Sequence, residues 1–162
     1  MRPALIAVAL LPLTSAAQVP QGFSAWRHIT PCDAACRSAG GPGYVSDVWL
    51  YRRGNLLCGA VSEVQGFRAE KAPSGKIAGT IQGDSLQLWY TDSFSDERGK
   101  AEAVVQGNDL TFKIVHEPTY GHIAFGAGGP LRRYWPSKNE RLSWAEEECH
   151  TYRGNPDEWL GK

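Results

Sequence analysis

The sequence predicts an all-β protein: an antiparallel meander of about eight strands, closed into a barrel or flattened into a sandwich, with a short C-terminal helix. The first of three observations is an internal repeat. Residues Gly75–Leu88 align with Gly99–Phe112 at an offset of 24, with Gly, Lys, Gln, Gly and Leu recurring at matching positions. The second is the chemistry between the halves of each copy. Gly83-Asp84 and Gly107-Asn108 are residue pairs that tolerate the positive φ of short hairpin turns. The third is alternation with a period of two. Ala101, Ala103 and Val105 share one face, and Lys100, Glu102 and Gln106 share the other; Leu110, Phe112 and Ile114 continue the apolar face, with Thr111 and Lys113 opposite.

The elements follow in order. Residues 1–17 read as a secretory signal peptide: Arg2 is the positive n-region, Ala4 to Leu13 the apolar run, and Ser15-Ala16-Ala17 the small residues of a cleavage site before Gln18. The run is too short to span a bilayer of about 30 Å. Residues 18–43, rich in Gly, Pro and Ser, read as an irregular arm with at most a short strand around Trp26 to Ile29. Residues 44–162 read as the barrel domain with its C-terminal helix. Its first hairpin runs from Val45–Tyr51 through Arg53-Gly54-Asn55 to Leu56–Ser62. In the next, Ile77, Gly79 and Ile81 pair with Leu86, Leu88 and Tyr90, and the second repeat copy forms the third. A fourth is expected from His122–Phe125, through Gly126–Pro130, to Leu131–Tyr134. Ser143-Trp144-Ala145-Glu146 fits a capping box opening a helix from about Trp144 to Tyr152, ended by Gly154 and Pro156.

In such a meander the short turns near Gly54, Gly83, Gly107 and Gly128 share one end, and the long connections Glu63–Ser74, Thr91–Arg98 and His116–Gly121 share the other. Long loops on a rigid scaffold commonly carry function.

Cys32, Cys36, Cys58 and Cys149 form an even set, read in an exported chain as disulfides. Of three possible connectivities, Cys32–Cys36 with Cys58–Cys149 is favoured because the second bond ties the C-terminus to the body. The spacing lacks the Cys-x-x-Cys units of zinc sites, so no metal is expected, nor any cofactor. Loss of residues 1–17 removes one cation and leaves 16 basic against 17 acidic residues, a balance unlike that of nucleic-acid binders. No second apolar run approaches membrane length, so no membrane insertion is expected after leader removal.

No catalytic motif stands out. His116, Glu117 and His122 match no HExxH or facial-triad spacing, and Asp92, Asp96, Glu97 and Arg98 read as a polar loop. Neither a Gly-x-Ser-x-Gly elbow nor a phosphate-binding glycine loop is present. The aromatics are more suggestive: Trp89, Tyr90, Phe94, Phe67 and Tyr120 all fall near the long-loop end. With Arg68 and Arg98, the set Phe67, Tyr90, Phe94 and Tyr120 is the expected binding surface.

The eight-strand pattern resembles the calycin type of barrel, that of lipocalins and avidins, in fold logic. The lipocalin Gly-x-Trp is absent, since Gly22 and Trp26 stand four apart, so no ligand carries over. Small periplasmic proteins that block lysozymes or toxins are similar in architecture, being disulfide-pinned β-barrels or sandwiches. The expectation is a periplasmic or secreted, non-catalytic binding protein, taking a protein partner in an inhibitor-like manner or a small apolar ligand. The alternative is a hydrolase or isomerase with its site in the barrel mouth.

Overall fold

Three glycines set the hairpins. Gly54, Gly83 and Gly107 adopt φ of +60°, +59° and +62°, whereas Asn55, Asp84 and Asn108 after them stay out of the left-handed region. A left-handed residue at the first central position only is the type II′ arrangement, whose twist matches that of the strands it joins. The computed structural model describes residues 19–32, 34, 37, 43–65, 75–92, 97–119, 123, 125, 129–137 and 143–161. Eight strands follow in chain order: β1 (Gly22–Thr30), β2 (Tyr44–Arg53), β3 (Leu56–Gln65), β4 (Gly75–Gln82), β5 (Ser85–Asp92), β6 (Arg98–Gln106), β7 (Asp109–His116) and β8 (Leu131–Tyr134). Every neighbour pairs antiparallel, and β8 pairs back to β1, so the sheet is a closed barrel in sequence order. Among the described residues no helix is long and apolar enough to cross a membrane.

The interior is filled by side chains, as eight strands allow. Trp26, Val48, Leu50, Leu57, Val61, Ile77, Leu86, Leu88, Tyr90 and Leu110 form one buried cluster with Ala101, Ala103 and Val105 of β6. The small residues of β6 make room for the large ones opposite. Gly99 shows the limit of that space: a Cβ there would stand 1.9 Å from Cζ of the Tyr90 ring.

The outside of β1–β5 is apolar too, because the chain after β8 returns across it. Helices α1 (Ser143–Cys149) and α2 (Pro156–Leu160) lie on this face. Cys58, Ala78, Cys149, Tyr152, Trp159 and Leu160 make a second cluster, packed by Tyr51, Leu56 and Trp89. Ala25, Trp49 and Ala60 make a third, with Phe23 and Tyr134. The expected Cys58–Cys149 disulfide is formed, with Cα atoms 5.8 Å apart. Cys32 is also disulfide-bonded; Cys36, its expected partner, lies outside the described residues. Cations on the wall hold the carbonyls of the returning chain: Arg53 donates to the carbonyls of His150 (2.6 Å) and Tyr152, Lys76 to Trp159 (3.4 Å), and Arg98 to Gly161 (2.6 Å).

The strand count matches expectation, but one member differs. Residues 22–30, placed in the irregular arm, form the nine-residue strand β1. Conversely, the expected strand His122–Phe125 is not seen in its described residues: Ile123 and Phe125 lie outside any strand, Phe125 has φ +41°, and His122 and Ala124 lie outside the described residues. The link to β8, of which residues 126–128 lie outside the described residues, therefore shows no fourth tight hairpin among the residues described. It arrives through Gly129 beside the His28 ring, with Pro130 bonded to that ring, part-way along β1 rather than at the short-turn end. The expected inward row of β7 also thins. Leu110 is fully buried, Phe112 is half-buried and Ile114 is 37% exposed, because β8 pairs only with Asp109 and Leu110 of β7. At the C-terminus α1 ends at Cys149, and Pro156, read as a helix stop, instead opens α2 behind the cap residue Asn155, whose side chain accepts from Asp157 N at 3.1 Å.

Candidate functional site

The barrel closes by a short seam. Ala25, Trp26 and Arg27 of β1 face Tyr134, Arg133 and Arg132 of β8, and Asp109 and Leu110 of β7 face Arg132 and Leu131. This register sets Arg27 directly opposite Arg132. Like charges at such positions repel, and the sequence answers with a buried carboxylate. Asp47, across from Arg27 on β2 and 1% exposed, accepts from Arg27 Nε at 2.6 Å and Nη2 at 2.9 Å. The fork geometry is bidentate, which suits arginine. The same guanidinium lies 4.2 Å from the Tyr134 ring centroid and donates to Tyr134 Oη at 3.2 Å.

Arg27 is thus balanced, whereas Arg132 projects into solvent. Its side chain is 81% exposed, with Asp109 at 3.8 Å as an ion-pair partner. Beside it the wall opens into a concave cleft of about 530 Å³, lined by Arg27, His28, Ile29, Gly129, Pro130, Arg132, Arg133 and Tyr134. His28 is fixed by its Nδ1–H donating to the Pro130 carbonyl at 3.1 Å. Trp135 follows β8 at 80% exposure, and Ile29 is 55% exposed. Arginine, tyrosine and tryptophan around a concavity are the residue types that dominate binding energy at protein interfaces.

The long-loop mouth of the barrel is arranged differently. Glu63 of β3 accepts from the Phe125 N–H at 2.9 Å and from Ser46 Oγ at 3.4 Å. The Phe125 ring stacks on Phe112 with centroids 4.3 Å apart and meets Tyr90 edge-on at 4.9 Å. Phe125 and Ile123 are buried at 4% and 3% exposure, so they close the interior here. The Tyr90 hydroxyl is buried without a hydrogen-bond partner among the described residues, and the Tyr44 hydroxyl faces the Glu63 carboxylate. Burial, and then the neighbouring Glu63 carboxylate, holds the Tyr44 proton well above the usual tyrosine range. Burial, followed by the fields of Glu117 and Glu63, pushes Tyr90 up to about 12.

The Tyr90 shift has a checkable consequence. Below pH 10 the ring is neutral in both folded and unfolded chains. Between about pH 10 and pH 12 the unfolded chain ionises freely and the folded one does not, so stability falls as pH rises through that window. Urea midpoints should show that Tyr90→Phe leaves stability nearly unchanged at pH 7, since the hydroxyl has no partner to lose among the described residues. The same variant should lose less stability than the parent at pH 11. Equal losses at pH 11 would contradict this burial.

Of the six residues expected to bind, two are described. Tyr90 is fully buried inside the barrel. Arg98 is engaged by the C-terminal segment, pairing with Asp157 and donating to the Gly161 carbonyl. Phe67, Arg68, Phe94 and Tyr120 lie outside the described residues, as does His122. Trp89 packs under α2 on the outer wall, and His116 is exposed on β7. Sequence reasoning passed over the seam, although Leu131-Arg132-Arg133-Tyr134-Trp135 carries its signature: two arginines beside two aromatics. Comparison with known proteins gives no matching family model, no similar curated protein and no similar solved structure.

Proposed function

We propose that this is a non-catalytic binding protein of an oxidising compartment, the periplasm or the extracellular medium. Its recognition surface is the seam cleft, and its partner is a protein presenting acidic side chains. One observation carries the reading: the register sets Arg132 beside an already balanced Arg27, so that among the described residues the cleft's exposed cation is matched by no buried carboxylate of its own. Carboxylates of a partner would complete it, with Trp135 and Ile29 supplying apolar contact at the rim. The buried Cys58–Cys149 disulfide supports the compartment.

The test is capture of a partner from envelope extract at two salt concentrations. Wild-type protein should retain an acidic partner at low salt and release it as salt rises, because exposed charges are screened over about 8–10 Å at physiological strength. Arg132→Glu with Arg133→Glu should abolish capture without lowering the thermal midpoint. Phe67→Ala with Phe94→Ala should leave it intact. Capture that survives the arginine changes and is lost with Phe67 and Phe94 would move the site to the long loops.

A further inference from the structure

We propose that the barrel mouth is a second, small-molecule site, filled in this structure by Phe125, and that its ligand is a primary amine with an aromatic or short apolar body. It is independent of the seam cleft, and either can fail without the other. Three observations meet there. Phe125 holds a left-handed backbone, φ +41°, which is unfavourable for a side chain with a Cβ. Its ring occupies a slot between the Phe112 face and the Tyr90 edge, a place equally suited to a ligand ring. Its N–H donates to the Glu63 carboxylate at 2.9 Å, a contact that a ligand ammonium could replace.

The polar groups around that slot point to the ligand's head. The Tyr90 hydroxyl is carried by a residue with 0% exposure and has no partner among the described residues, whereas the Tyr44 hydroxyl lies against Glu63. Buried polar atoms are rarely left unpartnered in a finished interior. An ammonium group answers both remaining groups at once: it donates to the Glu63 carboxylate in place of the Phe125 N–H, and to the Tyr90 oxygen. A carboxylate ligand would meet Glu63 and Glu117 as like charges. The exchange is non-covalent, with the ligand's ring and ammonium replacing the ring and N–H of Phe125.

The probe is phenethylammonium, compared with 2-phenylethanol and 3-phenylpropionate by calorimetric titration. Phe125→Ala should bind phenethylammonium one-to-one, about tenfold or more tighter than wild type, because the variant no longer has to expel its own ring. The alcohol should bind that variant about tenfold more weakly than the amine, and the acid more weakly still. Adding Glu63→Gln should make amine and alcohol equal. Tyr90→Phe in the otherwise wild-type chain should keep its thermal midpoint and lose amine affinity several-fold, a change that a purely packing role for Tyr90 would not produce. A folded Phe125→Ala that fails to prefer the amine overturns the proposal. If that variant does not fold, the Tyr90→Phe comparison decides: unchanged amine affinity, or no amine binding by wild type, overturns it.

Discussion

Replacing Cys58 and Cys149 together by alanine should lower the stability of the fold by about 4–5 kcal/mol. The bond joins positions 91 residues apart, and in the chain-entropy account a loop of that size restricts the unfolded chain by roughly this amount. Its placement adds to the effect. Cys58 faces outward on β3, and Cys149 ends α1, so the bond fixes the returning chain to the wall. The Arg53, Lys76 and Arg98 contacts to that segment then close on a tethered partner. Urea unfolding of the oxidised parent and the double variant measures the difference. A loss below about 1 kcal/mol would mean that the unfolded chain is not restricted as the entropy account requires.

Trp26→Ala should cost about 3–5 kcal/mol, the range for deleting a large aromatic from a closed core. Trp26 has 0% exposure inside the barrel, although it stands in the strand that the sequence placed in an arm. Trp26→Phe should cost much less, since the indole N–H has no hydrogen-bond partner among the described residues and leaves nothing unsatisfied behind. An arm merely pinned by its cysteines would show almost no loss for either change. Denaturant midpoints of the two variants therefore test whether β1 is a stave of the barrel.

The three central hairpins were legible because each carries two independent signals, a glycine-led turn and period-two alternation, and these agree. β1 carries neither cleanly. Its inner Ser24 is polar and buried, donating to the Leu50 carbonyl at 3.5 Å, whereas outer Phe23 and Ala25 are apolar and pack with Trp49, Ala60 and Tyr134. Burial on both faces erases the polarity contrast that marks a half-buried strand. Ile123 and Phe125 gave the opposite error. Their spacing mimics a strand, but their burial comes from plugging the mouth. Pro156 was ambiguous in the same way: proline ends one helix and starts another, and only Asn155 before it distinguishes the cases.

The candidate site was least legible. The seam cleft exists because β8 closes on β1 more than 100 residues away in sequence, and no local pattern reports that register. Arg27 and Asp47 are 20 residues apart, yet the β1–β2 pairing sets them opposite one another. Once closure of the barrel is known, the position of Arg132 beside Arg27 follows from the ladder alone.

The most direct measurement of the central claim, recognition of acidic partners at the seam, is amide chemical-shift mapping with a glutamate decapeptide as probe. The account predicts saturable shifts confined to Arg27–Ile29 and Gly129–Trp135, lost in Arg132→Glu with Arg133→Glu and absent with a lysine decapeptide. Shifts centred elsewhere on the barrel, or unchanged by reversing the two arginines, would contradict it.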